Sequence, residues 1–321
     1  MLHITEEDVL KHYSMKQCMK DVEKAFSLSK TTRVDIPFRT ILHHNGEGAH
    51  TLYMPSYIED IQYASIKISS LFPSNKEIPM IQSLIVLTET ISGKHVATLS
   101  ASALTMLRTG AISGIGTKYL SRKNSEVLSV IGCGAQSFGQ VQAIMEVRDI
   151  TKIILYNRTT DKAELLSAKI FELYSSWAGE VIIMEDANEA VKAADIVVSC
   201  TSADTPVFSG KCIKKGTHIN AIGSCAPNKH EYDVHVLNRA SKVVVDTFEG
   251  AKNEAGGLLI PHNNNEWSLN KIYGELSDVI LEQEEVRNSA DDITLLDSVG
   301  VGFLDTICAA SIYTKIKEIY K

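Results

Sequence analysis

Apolar positions recur along this chain at two different periods, and the change of period marks its organisation. Near the start, Val9, Tyr13, Val22, Ala25, Phe26 and Leu28 fall at helical spacing and predict two short helices. Thr5, followed by Glu6, Glu7 and Asp8, opens the first, with acids beside the positive end of its dipole. From Ile36 the texture becomes short β-like runs over residues 36–43, 51–57, 63–70, 83–90 and 95–99, separated by Pro, Gly, Asn or Ser. Ser92-Gly93 reads as a hairpin turn. No helix separates these strands, so a mostly antiparallel sheet is expected. Ser100 is placed to cap a long helix over 101–120.

Beyond Lys123-Asn124 strands and helices alternate. Strands are expected at 127–131, 153–156, 181–184, 196–200, 218–222 and 243–246, with helices at 140–147 and 162–177. Several of these strands are apolar throughout, as parallel strands covered on both faces are. The pattern predicts a doubly wound α/β region. The segment 261–266, rich in Asn, reads as a surface loop, and 303–320 as a helix with Phe303, Ile307, Ala310 and Thr314 on one stripe.

With 321 residues the chain has room for about two domains. Its 44% hydrophobic and 22% charged residues exclude a disordered or staple-dependent scaffold. Asp and Glu (39) outnumber Lys and Arg (32) for a net charge of −7, so no concentrated positive surface for nucleic acid or anionic membrane is expected. No apolar run approaches the roughly 18 residues of a membrane-spanning helix. The first residues turn acidic at once, unlike a signal peptide. The six cysteines are scattered without CxxC or Cys/His ligand spacing, which fits reduced thiols in the cytoplasm and no metal site. His43, His44, His50 and His262 lack zinc-site spacing and read as ordinary surface or core residues.

The informative segment is Val127-Leu128-Ser129-Val130-Ile131-Gly132-Cys133-Gly134-Ala135-Gln136-Ser137, an apolar strand running through Gly-x-Gly into a helix. In that context Gly132 permits the tight turn and Gly134 lets the backbone approach a pyrophosphate resting on the helix N-terminus. Ser137 stands where a third glycine is usual. At the end of the next strand, where NAD enzymes carry an acid for the ribose hydroxyl, the chain reads Tyr156-Asn157-Arg158-Thr159. A guanidinium can fork onto a 2′-phosphate that a carboxylate would repel, which favours NADP(H) with NAD(H) as the alternative. A solvated arginine opening the next helix is the plainer reading. Cys200-Thr201-Ser202 ends a later strand at the sheet edge where ligands sit, though such polar turns are also routine.

These residues, with Phe38-Arg39-Thr40, Ala64-Ser65-Ile66-Lys67, Phe72-Pro73-Ser74-Asn75, Leu104-Thr105-Met106-Leu107-Arg108-Thr109-Gly110-Ala111 and Asp297-Ser298-Val299-Gly300, resemble the ornithine cyclodeaminase/mu-crystallin family over nearly the whole chain. The resemblance implies a Rossmann-type doubly wound parallel sheet inserted into a smaller α+β dimerisation and substrate domain. The corresponding expectation is 1–115 plus 303–321 for the substrate domain and 116–302 for the dinucleotide domain, in a homodimer. It further implies that Arg39, Lys67 and Arg108 hold an amino or imino acid, with Lys67 and Arg108 catalytic and Ser83 a nearby hydroxyl. Cofactor contacts are expected from Gly132, Gly134, Ala135, Gln136, Asn157, Arg158, Thr159, Cys200, Thr201, Ser202, Gly223, Ser224, Lys229 and Ser298.

One departure shapes the functional expectation. Where ornithine cyclodeaminases carry a basic Asp, this chain has Cys225, a weakly acidic thiol that supplies no fixed negative charge. Reduction of a preformed C=N bond needs no such base. The expectation is therefore a reductase of cyclic imino acids such as Δ1-pyrroline-2-carboxylate. The alternatives are an alanine-type or N-alkyl amino-acid dehydrogenase, ornithine cyclodeaminase itself, and a non-catalytic NADPH-dependent binding protein.

Overall fold

The side chains of residues 81–89 alternate between a buried row, Ile85 and Leu87, and a more open row, Gln82 and Leu84, as a strand covered on one face requires. This pattern builds the first of two units in the computed structural model, which describes residues 1–223, 225–282 and 286–319. One unit is Met1–Arg108 with Val301–Lys321, and the other is Thr109–Gly300.

In the first unit seven strands form one sheet in the spatial order Leu2–Ile4, His95–Ser100, Ile81–Glu89, Tyr63–Leu71, His50–Ile58, Val34–Asp35, with Thr40–His43 also paired to His50–Ile58. All pairings are antiparallel except the first, where Leu2–Ile4 runs parallel to His95–Ser100. Of the strand expected over 36–43 only Thr40–His43 forms, and a separate short strand, Val34–Asp35, precedes it. Pro37 lies between them and has no N–H to give to a ladder. The helices Glu6–His12 and Met15–Thr31 follow the sequence pattern, the first with a capping box between Thr5 and Asp8.

The last helix, Gly302–Ile319, packs on this same unit. Phe303 meets Phe26 edge-on at 5.6 Å, and Thr306 bonds to Ser65 Oγ at 2.7 Å and to Ser56 Oγ. The inner sheet face, with Ile58, Ile85, Leu87 and Leu99, is thereby sealed.

The second unit is an eight-stranded, wholly parallel sheet. Across it lie Glu180–Ile183, Lys152–Tyr156, Val127–Ile131, Ile196–Ser199, His218–Ala221, Thr294–Asp297, Lys242–Val245 and Gly274–Glu275. Leu128, Val130, Ile153, Leu155, Ile196 and Val198 pack with helices Ser137–Met145 and Thr160–Leu173 in one core. Ile131, Val197, Ile219, Val243 and Leu295 enter a separate core with Ala187–Lys192 and Val234–Arg239. Two covered faces explain why strands such as Lys152–Tyr156, Val127–Ile131 and Lys242–Val245 are mainly apolar, and make the sheet doubly wound.

Two expectations are corrected here. Residues 261–266 are not simply a surface loop: Pro261 is buried in the helix Gly256–Asn263, and its carbonyl accepts from Glu266 N at 2.9 Å and Trp267 N at 3.2 Å to close the turn. The strand Thr294–Asp297, inserted between His218–Ala221 and Lys242–Val245, had not been expected. Only Leu295 and Leu296 are apolar there, between Thr294 and Asp297, so no apolar run marks the strand.

Candidate active site

The glycine turn lies at the carboxyl end of Val127–Ile131 in the second unit. Gly132 has φ +96°, and a Cβ there would sit 2.8 Å from Thr201 Cγ2 and 2.9 Å from the Cys200 carbonyl, so this position demands glycine. Gly134 differs: a Cβ there would meet nothing within 4 Å. Its face is open, as is that of Ala135, directly before the helix Ser137–Met145. The missing third glycine is accounted for by Ser137, which is buried and donates its hydroxyl to the Gly134 carbonyl at 2.7 Å.

Asn157 ties this turn to the neighbouring strand end. Its Oδ1 accepts from Cys133 N at 3.0 Å while its Nδ2 donates to the Thr159 carbonyl at 2.8 Å. Cys200 Sγ donates to the Gly132 carbonyl at 2.9 Å. Gln136 Oε1 is buried with no hydrogen-bond partner among the described residues. Arg158 and Thr159 are exposed, and Arg158 has no intramolecular partner among the described residues. An open glycine face at a helix start fits the phosphates of a dinucleotide, and an amide oxygen without a partner among the described residues fits a hydroxyl donor.

The neighbouring strand ends are held by Glu231, an acid given no role from the sequence. Its Oε1 accepts from Thr201 N at 2.6 Å and Ser199 Oγ at 2.7 Å, and its Oε2 from Gly223 N at 2.8 Å. Burial pushes its carboxyl above the usual range, against the pull of those hydrogen bonds. Gly223 also requires glycine, because a Cβ would approach the Thr201 carbonyl to 2.3 Å. Ser202 is exposed beside half-buried Thr201. Lys229 pairs with Asp204 at 2.6 Å on the surface, and buried Ser298 donates to Asp246 Oδ2 at 2.8 Å. Ser224 lies outside the described residues. Cys225 is exposed.

The first unit assembles a different kind of site. Strand alternation puts Lys67 on the inner face of Tyr63–Leu71, between cross-strand neighbours Met54 and Ile85. Arg108 lies on the helix Ser102–Leu120, and Asp305 in the first turn of Gly302–Ile319. Lys67 Nζ is 2.6 Å from Asp305 Oδ2, and Arg108 Nε donates to Asp305 Oδ1 at 3.2 Å. The carboxylate thus bridges two cations, one on each oxygen. The lysine and aspartate side chains are only 5% and 2% exposed. Arg108 spends only Nε here, and its terminal nitrogens have no partner among the described residues.

Burial pushes the Lys67 ammonium down to about 8, with Asp305 pulling upward and Arg108 and Arg39 downward. Burial raises the Asp305 carboxyl, but Lys67 and Arg108 outweigh it and hold it below the usual range. Arg39 is half-buried just before Thr40–His43. Ser83 Oγ lies 2.8 Å from Ser69 Oγ on the paired strand, two positions along from Lys67. Lys67 and Arg108 are therefore brought together, with the Arg39 charge felt at Lys67, whereas Ser83 bonds to Ser69. Asp305 was missed from sequence. Its signal was a single acid in the apolar run Phe303-Leu304-Asp305-Thr306-Ile307-Cys308. Among the described residues no group of three or more His, Cys, Asp or Glu is placed to hold a metal, and no helix is long and apolar enough to cross a membrane.

Comparison with known proteins places these geometries in a lineage. A Δ1-pyrroline-2-carboxylate reductase of Bacillus cereus is 38% identical over 320 residues, covering 99% of this chain and 97% of that relative. An alanine dehydrogenase of Archaeoglobus fulgidus is 34% identical over 314 residues, covering 97% of this chain and 94% of that relative. The solved Δ1-pyrroline-2-carboxylate reductase of Thermococcus litoralis, in complex with NADH and L-proline, superposes with a TM-score of 0.94 at 34% identity, covering 99% of this chain and 98% of that one. The sequence profile of the ornithine cyclodeaminase/mu-crystallin family matches residues 2–319, and the chain belongs to that family.

Proposed function

We propose that the protein reduces the C=N bond of a small cyclic imino acid, with Δ1-pyrroline-2-carboxylate the favoured substrate and proline the product. The observation that carries this reading is the buried cluster Lys67–Asp305–Arg108, two cations on one carboxylate, which leaves a net positive charge away from water. An uncompensated buried cation is costly, and a substrate carboxylate compensates it. The relatives of B. cereus and T. litoralis support the choice of substrate.

The roles follow from the geometry. Arg108, fixed through Nε, offers its terminal nitrogens as a fork for the carboxylate, with Arg39 adding charge. Lys67 holds a proton at Nζ below pH about 8 and delivers it to the imine nitrogen. Ser83 is assigned a supporting hydroxyl contact. When bound, a reduced nicotinamide supplies the hydride to the C=N carbon. Gly132, Gly134, Ala135, Gln136, Asn157, Arg158, Thr159, Cys200, Thr201, Ser202, Gly223, Ser224, Lys229 and Ser298 are assigned to holding the dinucleotide. The preference for NADP(H) over NAD(H) rests on Arg158 alone, since the T. litoralis relative is in complex with NADH.

The A. fulgidus relative favours alanine-type dehydrogenation as the second reading. Cys225 counts against ornithine cyclodeamination, because a thiol is a poor base there. We assign substrate binding and dimerisation to residues 1–115 with 303–321, and dinucleotide binding to 116–302. The exposed apolar residues Ile36, Phe38, Ile41, Leu42, Met80 and Ile81 support a homodimer through the first unit, and scattered thiols a cytoplasmic location. A protomer mass by light scattering would overturn the dimer.

The deciding experiment follows cofactor absorbance with a panel of cyclic imines and keto acids plus ammonia, using NADPH and NADH in turn. Rapid oxidation of NADPH with pyrroline-2-carboxylate is expected. Cofactor binding without turnover of any panel member would make the protein a binding module, and ornithine yielding proline and ammonia with no net absorbance change would make it a cyclodeaminase.

A further inference from the structure

We propose that Asp305 is a positioning residue for the reduction, holding Lys67 as the proton donor and Arg108 as the carboxylate fork at a fixed separation through one bridging carboxylate. The inference rests on the imine-reductase reading and extends it to a side chain that touches neither substrate nor dinucleotide in that scheme.

The geometry assigns a distinct job to each oxygen. Oδ2 takes one proton of the Lys67 ammonium at 2.6 Å, which fixes the direction of the remaining two N–H bonds. Oδ1 takes Arg108 at Nε rather than at the fork, and so pins the guanidinium plane while leaving its terminal nitrogens free. Asp305 therefore couples the two cations without competing with a ligand for the bidentate edge. The three groups come from three elements: the strand Tyr63–Leu71, the helix Ser102–Leu120 and the helix Gly302–Ile319. Thr306, next along the last helix, bonds Ser65, two residues from Lys67 on its strand. The helix register that aims Asp305 is thus fixed by a neighbouring contact on the same strand.

The charge balance gives the same residue a second effect. The groups acting on Lys67 are Asp305 from the last helix, Arg108 from the long helix and Arg39 from the segment before Thr40–His43; only Asp305 favours the ammonium. Without it, a buried amine facing two guanidiniums releases its proton at lower pH. Lys67 would then be unprotonated when the imine arrives, and the alkaline limb of the rate profile would move toward neutrality.

The test compares wild type with Asp305→Asn and Asp305→Glu. In each, the pH profile of kcat/KM is recorded with pyrroline-2-carboxylate, NADPH affinity is measured separately, and Lys67 Cε is titrated by NMR in protein carrying 13C-labelled lysine. For Asp305→Asn we expect kcat to drop about 100-fold, the alkaline limb and the Lys67 midpoint to move down together by about one pH unit or more, and NADPH affinity to stay unchanged. Asp305→Glu keeps the charge, so its midpoint should stay within a few tenths of a unit of wild type while kcat falls through misplacement. Coincident midpoints in wild type and Asp305→Asn would overturn the proposal. Should Asp305→Asn not fold, a Lys67 midpoint in Asp305→Glu displaced by a unit or more would overturn it equally. Absence of turnover by wild type would instead overturn the imine-reductase reading, and the NMR titration would still report on the Asp305–Lys67 coupling.

Discussion

Asp305 of the first unit and three fully buried carboxylates of the second are held by opposite means, while Asp195 of the second, nearer the surface, pairs with the partly exposed Arg122 and Lys214. In the first, Asp305 is neutralised by two cations and remains charged. In the second, Glu231, Asp246 and Asp297 are buried with hydrogen-bond donors that carry no formal charge: backbone N–H groups, serine hydroxyls and the Tyr232 hydroxyl, which donates to Asp297 Oδ2 at 2.5 Å. Burial raises all three, and pushes Asp297 up to about 7. Under the proposed function this difference separates chemistry from scaffolding. A cation pair leaves excess charge that asks for an anion, whereas hydroxyls and amides spend the carboxylate on holding strand ends in place.

The sharpest way to break this contrast is Arg108→Ala. It removes the proposed carboxylate fork and half of the Asp305 pairing, so kcat/KM should fall by about 1000-fold while nicotinamide cofactor binding is retained. Near-normal turnover would remove Arg108 from the site. Next comes Arg158→Asp, which should lower the NADPH-to-NADH preference by about 100-fold. An unchanged ratio of kcat/KM values would withdraw the 2′-phosphate assignment.

The glycine pair sharpens the comparison within the second unit. Gly132→Ala should cost about 2–3 kcal/mol in denaturant unfolding, because φ is positive and the Cys200 carbonyl lies in the way. Gly134→Ala should leave stability within about 0.5 kcal/mol and instead weaken dinucleotide binding, read by fluorescence titration. Equal effects of both on stability would contradict the open face at Gly134.

The smallest expected effect is a pH slope. Asp297 has a folded-state pKa raised above its unfolded value, so the folded chain holds a proton that the unfolded chain has released. Its contribution is therefore present at low pH and fades as pH rises toward about 7. Relative to Asp297→Asn, wild type should lose about 1–2 kcal/mol between pH about 6 and about 7.5 in urea unfolding. Parallel stability curves would show that Asp297 is ionised throughout.

What the chain revealed in advance follows from how each feature is encoded. The doubly wound sheet was legible because strands covered on both faces are written as mainly apolar runs such as Val127-Leu128-Ser129-Val130-Ile131. The glycine turn was legible because its geometry excludes side chains. Asp305 and Glu231 were not, since a lone acid announces nothing about what lies opposite it across a fold. Arg108 and Asp305 are separated by 197 residues, a distance no local pattern spans. Thr294–Asp297 stayed hidden for a related reason: its place in the sheet is set by neighbours on either side and not by its own period.

The placement of Gly302–Ile319 on the first unit bears on how the molecule is made. A ribosome releases the sheet that carries Lys67 long before it releases the helix that covers it. During that interval the growing chain exposes an unsealed apolar sheet face and a lysine without its counterion, while the intervening unit is already free to fold. The nascent first unit is thus the stage at which chaperone dependence and aggregation should concentrate.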